Sequence, residues 1–155
     1  MRPDGLYLLD EAAAEDFWRL RLELFRELGE VSQTQDTGEL ENATKRYYLA
    51  HIHRDLFTWG IFRQGSLVAA GSLCLFSRLP YLQDLNGSEG YILNIYTRKP
   101  FRGRGLASQI LEAILAFSRE NHIGRLWLHA SAQGVRLYTQ KGFVPKGQEM
   151  ELFLP

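Results

Sequence analysis

The chain has 155 residues, one domain's worth at about 100–200 residues per domain, and enough to bury a core without disulfides or metals. Apolar residues make up 45% and charged residues 23%, and Lys plus Arg balances Asp plus Glu at 18 each; this excludes a disordered tail and a polyanion binder acting through bulk charge. A single cysteine, Cys74, excludes a disulfide scaffold and fits a cytoplasmic protein, as does an N-terminus that does not read as a signal peptide; no apolar run approaches a membrane span.

In chain order, Gly5–Leu9 reads as a short strand, with Asp10 placed to cap a helix over Glu11–Leu28. That helix carries Phe17, Leu20, Leu24 and Leu28 at helical spacing and stops at Gly29. Ser32–Gly38 is a polar loop, and a second helix runs from about Leu40 to Arg54. Phe57–Arg63 and Leu67–Phe76 flank Gln64-Gly65 as an antiparallel hairpin. Ser77–Ser88, with Pro80, Asp84, Asn86 and Gly87, is an irregular connection.

Gly90–Arg98 is the next strand, which Pro100 ends. Gly103 to about Asn121 is the strongest helix, striped by Leu106, Ile110, Ile114 and Phe117 and punctuated by Gly124. Arg125–Ala130 is a strand and Gln133–Gln140 a short helix closed by Gly142; Phe143 and Met150–Leu154 supply final strands. No repeat or linker divides the chain, so residues 1–155 form a single α/β domain with helices on both faces of a sheet.

Charge is uneven along this order. Residues 1–45 hold 11 acidic and 5 basic side chains, a net of −6; residues 46–155 hold 7 and 13, a net of +6. The latter half contains the segment richest in chemistry, Asn94 to Ala107, where a strand runs through an Arg/Gly turn straight into a helix. Free N–H groups at a helix start and the helix dipole make an anion site suited to phosphate, and Arg102 and Arg104 add charge. No Lys follows either glycine, which rejects a nucleotide P-loop. A dinucleotide fingerprint lacks its third glycine, Ser108 standing there, and its acidic partner. The pattern that fits is [Q/R]-x-x-G-x-[G/A], as Arg102-x-x-Gly105-x-Ala107.

The run from Ile95 through Pro100-Phe101-Arg102-Gly103-Arg104-Gly105-Leu106-Ala107 resembles the acetyl-CoA-binding motif of the GNAT N-acetyltransferase superfamily. Gly134-Val135-Arg136-Leu137-Tyr138-x-x-x-Gly142-Phe143 resembles its second hallmark, and Tyr138 follows Arg102 by 36 residues. The resemblance implies a mixed, mostly antiparallel sheet of about six to seven strands, with fourth and fifth strands splayed. It implies acetyl-CoA as cosubstrate and no metal. The main chain of Ile95 and Thr97 would hold the pantetheine arm by strand addition. The amides from Arg102 or Gly103 through Arg104, Gly105, Leu106, Ala107 and Ser108 would hold the pyrophosphate. Ser131 stands where many members carry an arm-contacting asparagine.

The implied reaction is attack of a neutral amine on the thioester. Tyr138 would protonate the leaving thiolate, and Glu89 or His129 would take the amine's proton. The acceptor expected from the charge split is a small cationic amine edged by the acidic first helices. Alternatives are a protein or peptide acceptor, or a catalytically silent acyl-CoA-binding module. Nothing resembles a nucleic-acid module, and edge strands near the C-terminus are compatible with a homodimer. Trp18, Trp59, Trp127 and Cys74 read as core, and His51 and His53 point to different sides of a helix without a third metal ligand.

Overall fold

A computed structural model describes residues 2–155. Its strands are β1 (Gly5–Leu8), β2 (Leu56–Arg63), β3 (Ser66–Ser77), β4 (Ser88–Thr97) and β5 (Arg125–Leu128). Its helices are α1 (Ala14–Glu27), α2 (Gly38–His51), α3 (Leu106–Glu120) and α4 (Val135–Gln140), with 3₁₀ turns at Glu11–Ala13 and Lys99–Phe101. The five strands lie in the order β1-β2-β3-β4-β5. All neighbours are antiparallel except β4 and β5, whose parallel pairing needs the long crossover that α3 provides.

The hairpin turn lies where the sequence places it: Gln64 and Gly65 both take positive φ, 51° and 77°, matching the right-handed twist of paired strands. Asp10 does not cap with its side chain. Its carboxylate pairs with Arg2 and its carbonyl accepts the Tyr48 hydroxyl at 2.8 Å, so it locks β1 to α2 instead. The second helix stops earlier than expected, at His51, because His53 turns to φ 63° and its Nε2 bonds the Leu9 carbonyl.

The expected strands after Gly142 are absent, leaving five rather than six or seven. Residues 143–155 form no ladder, and Met150, Leu152, Phe153 and Leu154 are more than 80% exposed. A strand exists only through its partner, and Pro145 and Gly147 weaken any local alternative.

Alternation along β3 divides the core. Ala69 and Leu73 face α3, whose Ile110, Leu111 and Ile114 are fully buried against them. Ala70 and Cys74 face the other side, where α1 and α2 bring Leu20, Phe17 and Tyr48. Helices therefore cover both faces. Trp59 packs within the α3 core, and Trp18 and half-buried Trp127 are likewise packing residues.

The Ser77–Ser88 connection is irregular but fixed. Arg78 and Gly87 bond through main chain, as do Tyr81 and Asp84, and Asp84 is buried against Gly124. A Cβ at Gly124 would stand 2.0 Å from Asp84 Oδ1, so this glycine serves close approach rather than helix termination. Gly124→Ala therefore displaces the loop, and its thermal denaturation should report a loss of about 1–3 kcal/mol, the usual cost of overpacking. An unchanged midpoint would show that Asp84 yields freely.

Candidate active site

β4 and β5 part company early. Their register runs from Glu89–Arg125 to Ile92–Leu128 and then ends, while β4 continues to Thr97. Leu93 to Thr97 thus have β3 on one side and no strand on the other. Main-chain groups left in this position need partners, and an extended ligand can supply them as an added strand.

Beside the gap β4 is also distorted. Ala70 pairs with Tyr96 and Ser72 with Leu93, so Asn94 and Ile95 together oppose Gly71. Asn94 takes φ 56°, a conformation that asparagine tolerates better than most residues. The space at Gly71 is filled by Ile95 and Ile110, whose side chains stand 2.5 and 2.7 Å from where a Cβ would be. Ile95 therefore anchors to α3 through its side chain and keeps its main chain at the gap.

The turn after β4 is an open anion cradle. Gly103 and Gly105 both have φ 75°, which explains why glycine stands at each, and nothing lies within 4 Å of either added Cβ. None of the six N–H groups from Gly103 to Ser108 (Gly103, Arg104, Gly105, Leu106, Ala107 and Ser108) donates to an acceptor among the described residues. No side chain caps α3. A row of unsatisfied donors at the positive end of a 15-residue helix suits a diphosphate. The Arg102 N–H, by contrast, is spent on the Lys99 carbonyl.

The arginines divide their work. Arg102 donates from Nε to the Thr97 carbonyl at 2.8 Å, pairs with Glu27 through both terminal nitrogens and lies over the Tyr96 ring. Arg98 clasps Glu23, one helical turn away, through Nε and Nη2. The two pairs fasten α1 to the cradle. Arg104 remains exposed, with no carboxylate partner among the described residues, and is the free cation of the turn.

Tyr138 of α4 packs its ring against Gly134 and Phe143 and joins the α3 core. Its hydroxyl has no partner among the described residues. Burial pushes the phenol above its ordinary value, so it remains protonated at neutral pH and can donate. Ser131 is exposed and caps the same helix through its carbonyl, which accepts the N–H of Gly134 and Val135.

The two sequence candidates for a base differ sharply. Glu89 is 1% exposed, with one oxygen held by Arg78 at 3.0 Å and the other by Arg125 at 2.8 Å. It sits three residues before the strands separate, about 10 Å along β4. Its geometry is that of a clamp on the paired end of the two strands. His129 lies just past β5, at the separating end, with Nδ1 2.7 Å from the Tyr91 hydroxyl and Nε2 against the Glu149 carboxylate. Burial raises the Tyr91 phenol, with Glu149 adding to the effect, so Tyr91 keeps its proton. In the neutral ring whose Nε2–H donates to Glu149, Nδ1 accepts from the Tyr91 hydroxyl.

Two features have little sequence signal. One is the bulge, whose only trace is an asparagine inside an apolar run. The other is a cavity of about 350 Å³ between α1, α2 and the bulge, lined by Phe17, Arg21, Tyr47, Cys74 and Leu93 among others. No acidic residue lines it. The acidic helices instead spend carboxylates on ion pairs: Glu15 and Glu41 on Lys45, Glu23 on Arg98 and Glu27 on Arg102. Burial pushes the Cys74 thiol up, which keeps it protonated and a poor nucleophile. His51 bonds Asp55, and among the described residues no three His, Cys, Asp or Glu side chains gather as a metal site. No helix among them is long and apolar enough to cross a membrane.

The cradle and its fastening are separately testable. Gly105→Val strains a left-handed position by roughly 1–2 kcal/mol and fills the open side. Calorimetry should then show CoA affinity reduced at least about tenfold; undiminished affinity would show that the turn is not the anion site. Arg102 holds the Glu27 carboxyl below its ordinary range. A depressed folded pKa stabilises fully above the unfolded carboxylate value of about 4.3 and is lost as pH falls through the folded one. Denaturation midpoints should accordingly fall with acidification below about pH 5, and less steeply for Glu27→Gln.

Comparison with known proteins bears on the fold that carries this site. The chain superposes on a predicted acetyltransferase with acetyl-CoA from Clostridium acetobutylicum at TM-score 0.85 and 23% identity, covering 97% of this chain and 96% of the other. A GCN5-related N-acetyltransferase from Ralstonia eutropha JMP134 matches at TM-score 0.85 and 24% identity, covering 97% and 99%. Glucosamine-6-phosphate N-acetyltransferase from Arabidopsis thaliana matches at TM-score 0.73 and 17% identity, covering 99% and 100%. These identities speak for a shared fold alone, and no curated protein matches in sequence. The family model of the acetyltransferase (GNAT) family, however, matches residues 13–143, from the start of the helical layer to the end of the second motif. The chain therefore belongs to the GNAT acetyltransferase family.

Proposed function

We propose that this acetyltransferase moves the acetyl group of acetyl-CoA directly onto a primary amine, within a single domain. The observation carrying the reading is the continuity of the unpaired stretch of β4 with the six free N–H groups of the turn. A molecule with an extended amide-bearing arm and a diphosphate satisfies both in one line. The turn amides from Gly103 to Ser108 hold the diphosphate, with Arg104 adding charge. The main chain at Ile95 and Thr97 receives the arm, and Ser131 lies on the loop bounding the gap from the α4 side.

The amine nitrogen bonds to the thioester carbonyl carbon, the C–S bond breaks, and sulfur leaves as a thiolate that must gain a proton. Tyr138 supplies that proton from its unpartnered hydroxyl. An alkyl amine, with a pKa of roughly 10.4, reaches the enzyme charged and must lose a proton first. His129 accepts it through Tyr91: the Tyr91 hydroxyl passes its proton to His129 Nδ1 and takes the amine's. Glu149 stabilises the resulting imidazolium. Glu89, with both oxygens committed to arginines, positions the paired end of β4 and β5. Free amide N–H groups on β4 stabilise the charge developing on the carbonyl oxygen.

Tyr138→Phe should lower kcat by about 10²-fold, within the usual range for a general acid, with CoA affinity little changed; equal turnover would refute the acid role. His129→Gln and Tyr91→Phe should each change the acidic limb of the pH–rate profile, whereas Glu89→Gln should lower the denaturation midpoint and leave that limb in place. The opposite pattern would make Glu89 the base. Thiol release with amines and peptides separates transfer from silent acyl-CoA binding.

A further inference from the structure

The cavity beside the bulge contains a charge that acetyl transfer itself does not use. Phe17 and Arg21 lie one turn apart on α1 and share a helix face, which places both at its wall. The wall is otherwise mostly apolar. Among the described residues no carboxylate lies within 4.0 Å of the Arg21 guanidinium, although eleven other ion pairs form in the molecule. Its partners are the Thr44 hydroxyl, to which Nη1 donates at 2.8 Å, and the Phe25 ring, 4.4 Å from the guanidinium carbon.

A guanidinium has five N–H donors, and here one has a protein acceptor. Burial pushes its pKa down, with Glu30 opposing from a distance, so the charge is desolvated without close compensation. Such charges are costly unless something pairs with them. Leu93 and Asn94 close the far wall of the same cavity, at the bulge where the gap for the thioester begins.

We propose that Arg21 is the recognition site for a carboxylate on the acceptor, and that the acceptor is an amino acid or related amine with an apolar body. The body fills the space between α1 and α2, the carboxylate pairs with Arg21 in the planar two-point manner of guanidinium and carboxylate, and the amine faces the bulge. One guanidinium without a second cation matches a monoanion better than a phosphate. A polycationic acceptor finds no carboxylate on this wall and meets Arg21 instead, so the cationic acceptor expected from the charge split is replaced. The inference rests on the transfer reading, with this cavity as its acceptor side.

The test uses amines matched except for the carboxylate: phenylalanine with phenethylamine, leucine with isoamylamine, and 6-aminohexanoate with pentylamine, alongside spermidine. In the native protein at least one carboxylated member should exceed its partner in kcat/KM by about 10- to 100-fold, as expected for hydrogen bonds to a charged group. Arg21→Met should bring that ratio close to one, and Arg21→Lys should retain part of it. Calorimetry in the presence of CoA gives a readout independent of turnover, with the acetylated carboxylate product binding more tightly than its decarboxylated counterpart. Equal or better use of the decarboxylated amines, a preference for spermidine, or a ratio that survives Arg21→Met would overturn the assignment while leaving the transfer reading intact. Failure to acetylate any amine despite acetyl-CoA binding would bring down the transfer reading and this inference with it.

Discussion

Five residues of a central strand with no neighbour on one side are the constraint from which the rest of the site follows. In an ordinary sheet such a stretch would be closed by the next strand, because unpaired main-chain polar groups away from water are costly. Here β5 pairs with β4 over only four residues and then leaves. The clamp of Glu89 between Arg78 and Arg125 stands at the paired end, and the Asn94 bulge at the parted end. One holds the strands together and the other bends β4 out of its ladder. The gap is thus built into the covalent order and register of the sheet.

The second organising feature is α1. Its inner face contributes Phe17 and Arg21 to the cavity, while Glu23 and Glu27 reach the arginines flanking the anion cradle. These pairs are partly exposed, so each contributes modestly to stability. Their geometric effect is larger: the two-point contacts set how the helix lies across the end of β4. Part of the acidic first half of the chain is thus spent on internal pairing: Glu15 and Glu41 meet Lys45, Glu23 meets Arg98 and Glu27 meets Arg102.

Local chemistry was readable from the sequence wherever local rules decide the outcome. The stripe of α3, the Gln64-Gly65 hairpin and the paired glycines of the turn are each fixed by neighbours a few residues away. Family resemblance through Gly105 and Tyr138 then supplied the mixed, mostly antiparallel sheet and the parting of its fourth and fifth strands, which periodicity could not. Distant pairings stayed hidden. Glu89 looks like a loop carboxylate until Arg125, 36 residues on, is folded against it. Arg21 looks like one more solvated helix charge until α2 and β4 enclose it. Residues 150–154 have the composition of a strand, yet composition does not supply a partner.

Because one helix serves the cradle by one flank and the cavity by the other, the two sites proposed for the substrates share a wall. A change at Glu23 or Glu27 tilts the platform on which Arg21 stands, and a change at Phe17 is felt at Arg98 and Arg102 through the turns of the same helix that carry Glu23 and Glu27. Position along α1 consequently does not tell which substrate a substitution affects; the kinetic constants of both have to be read together.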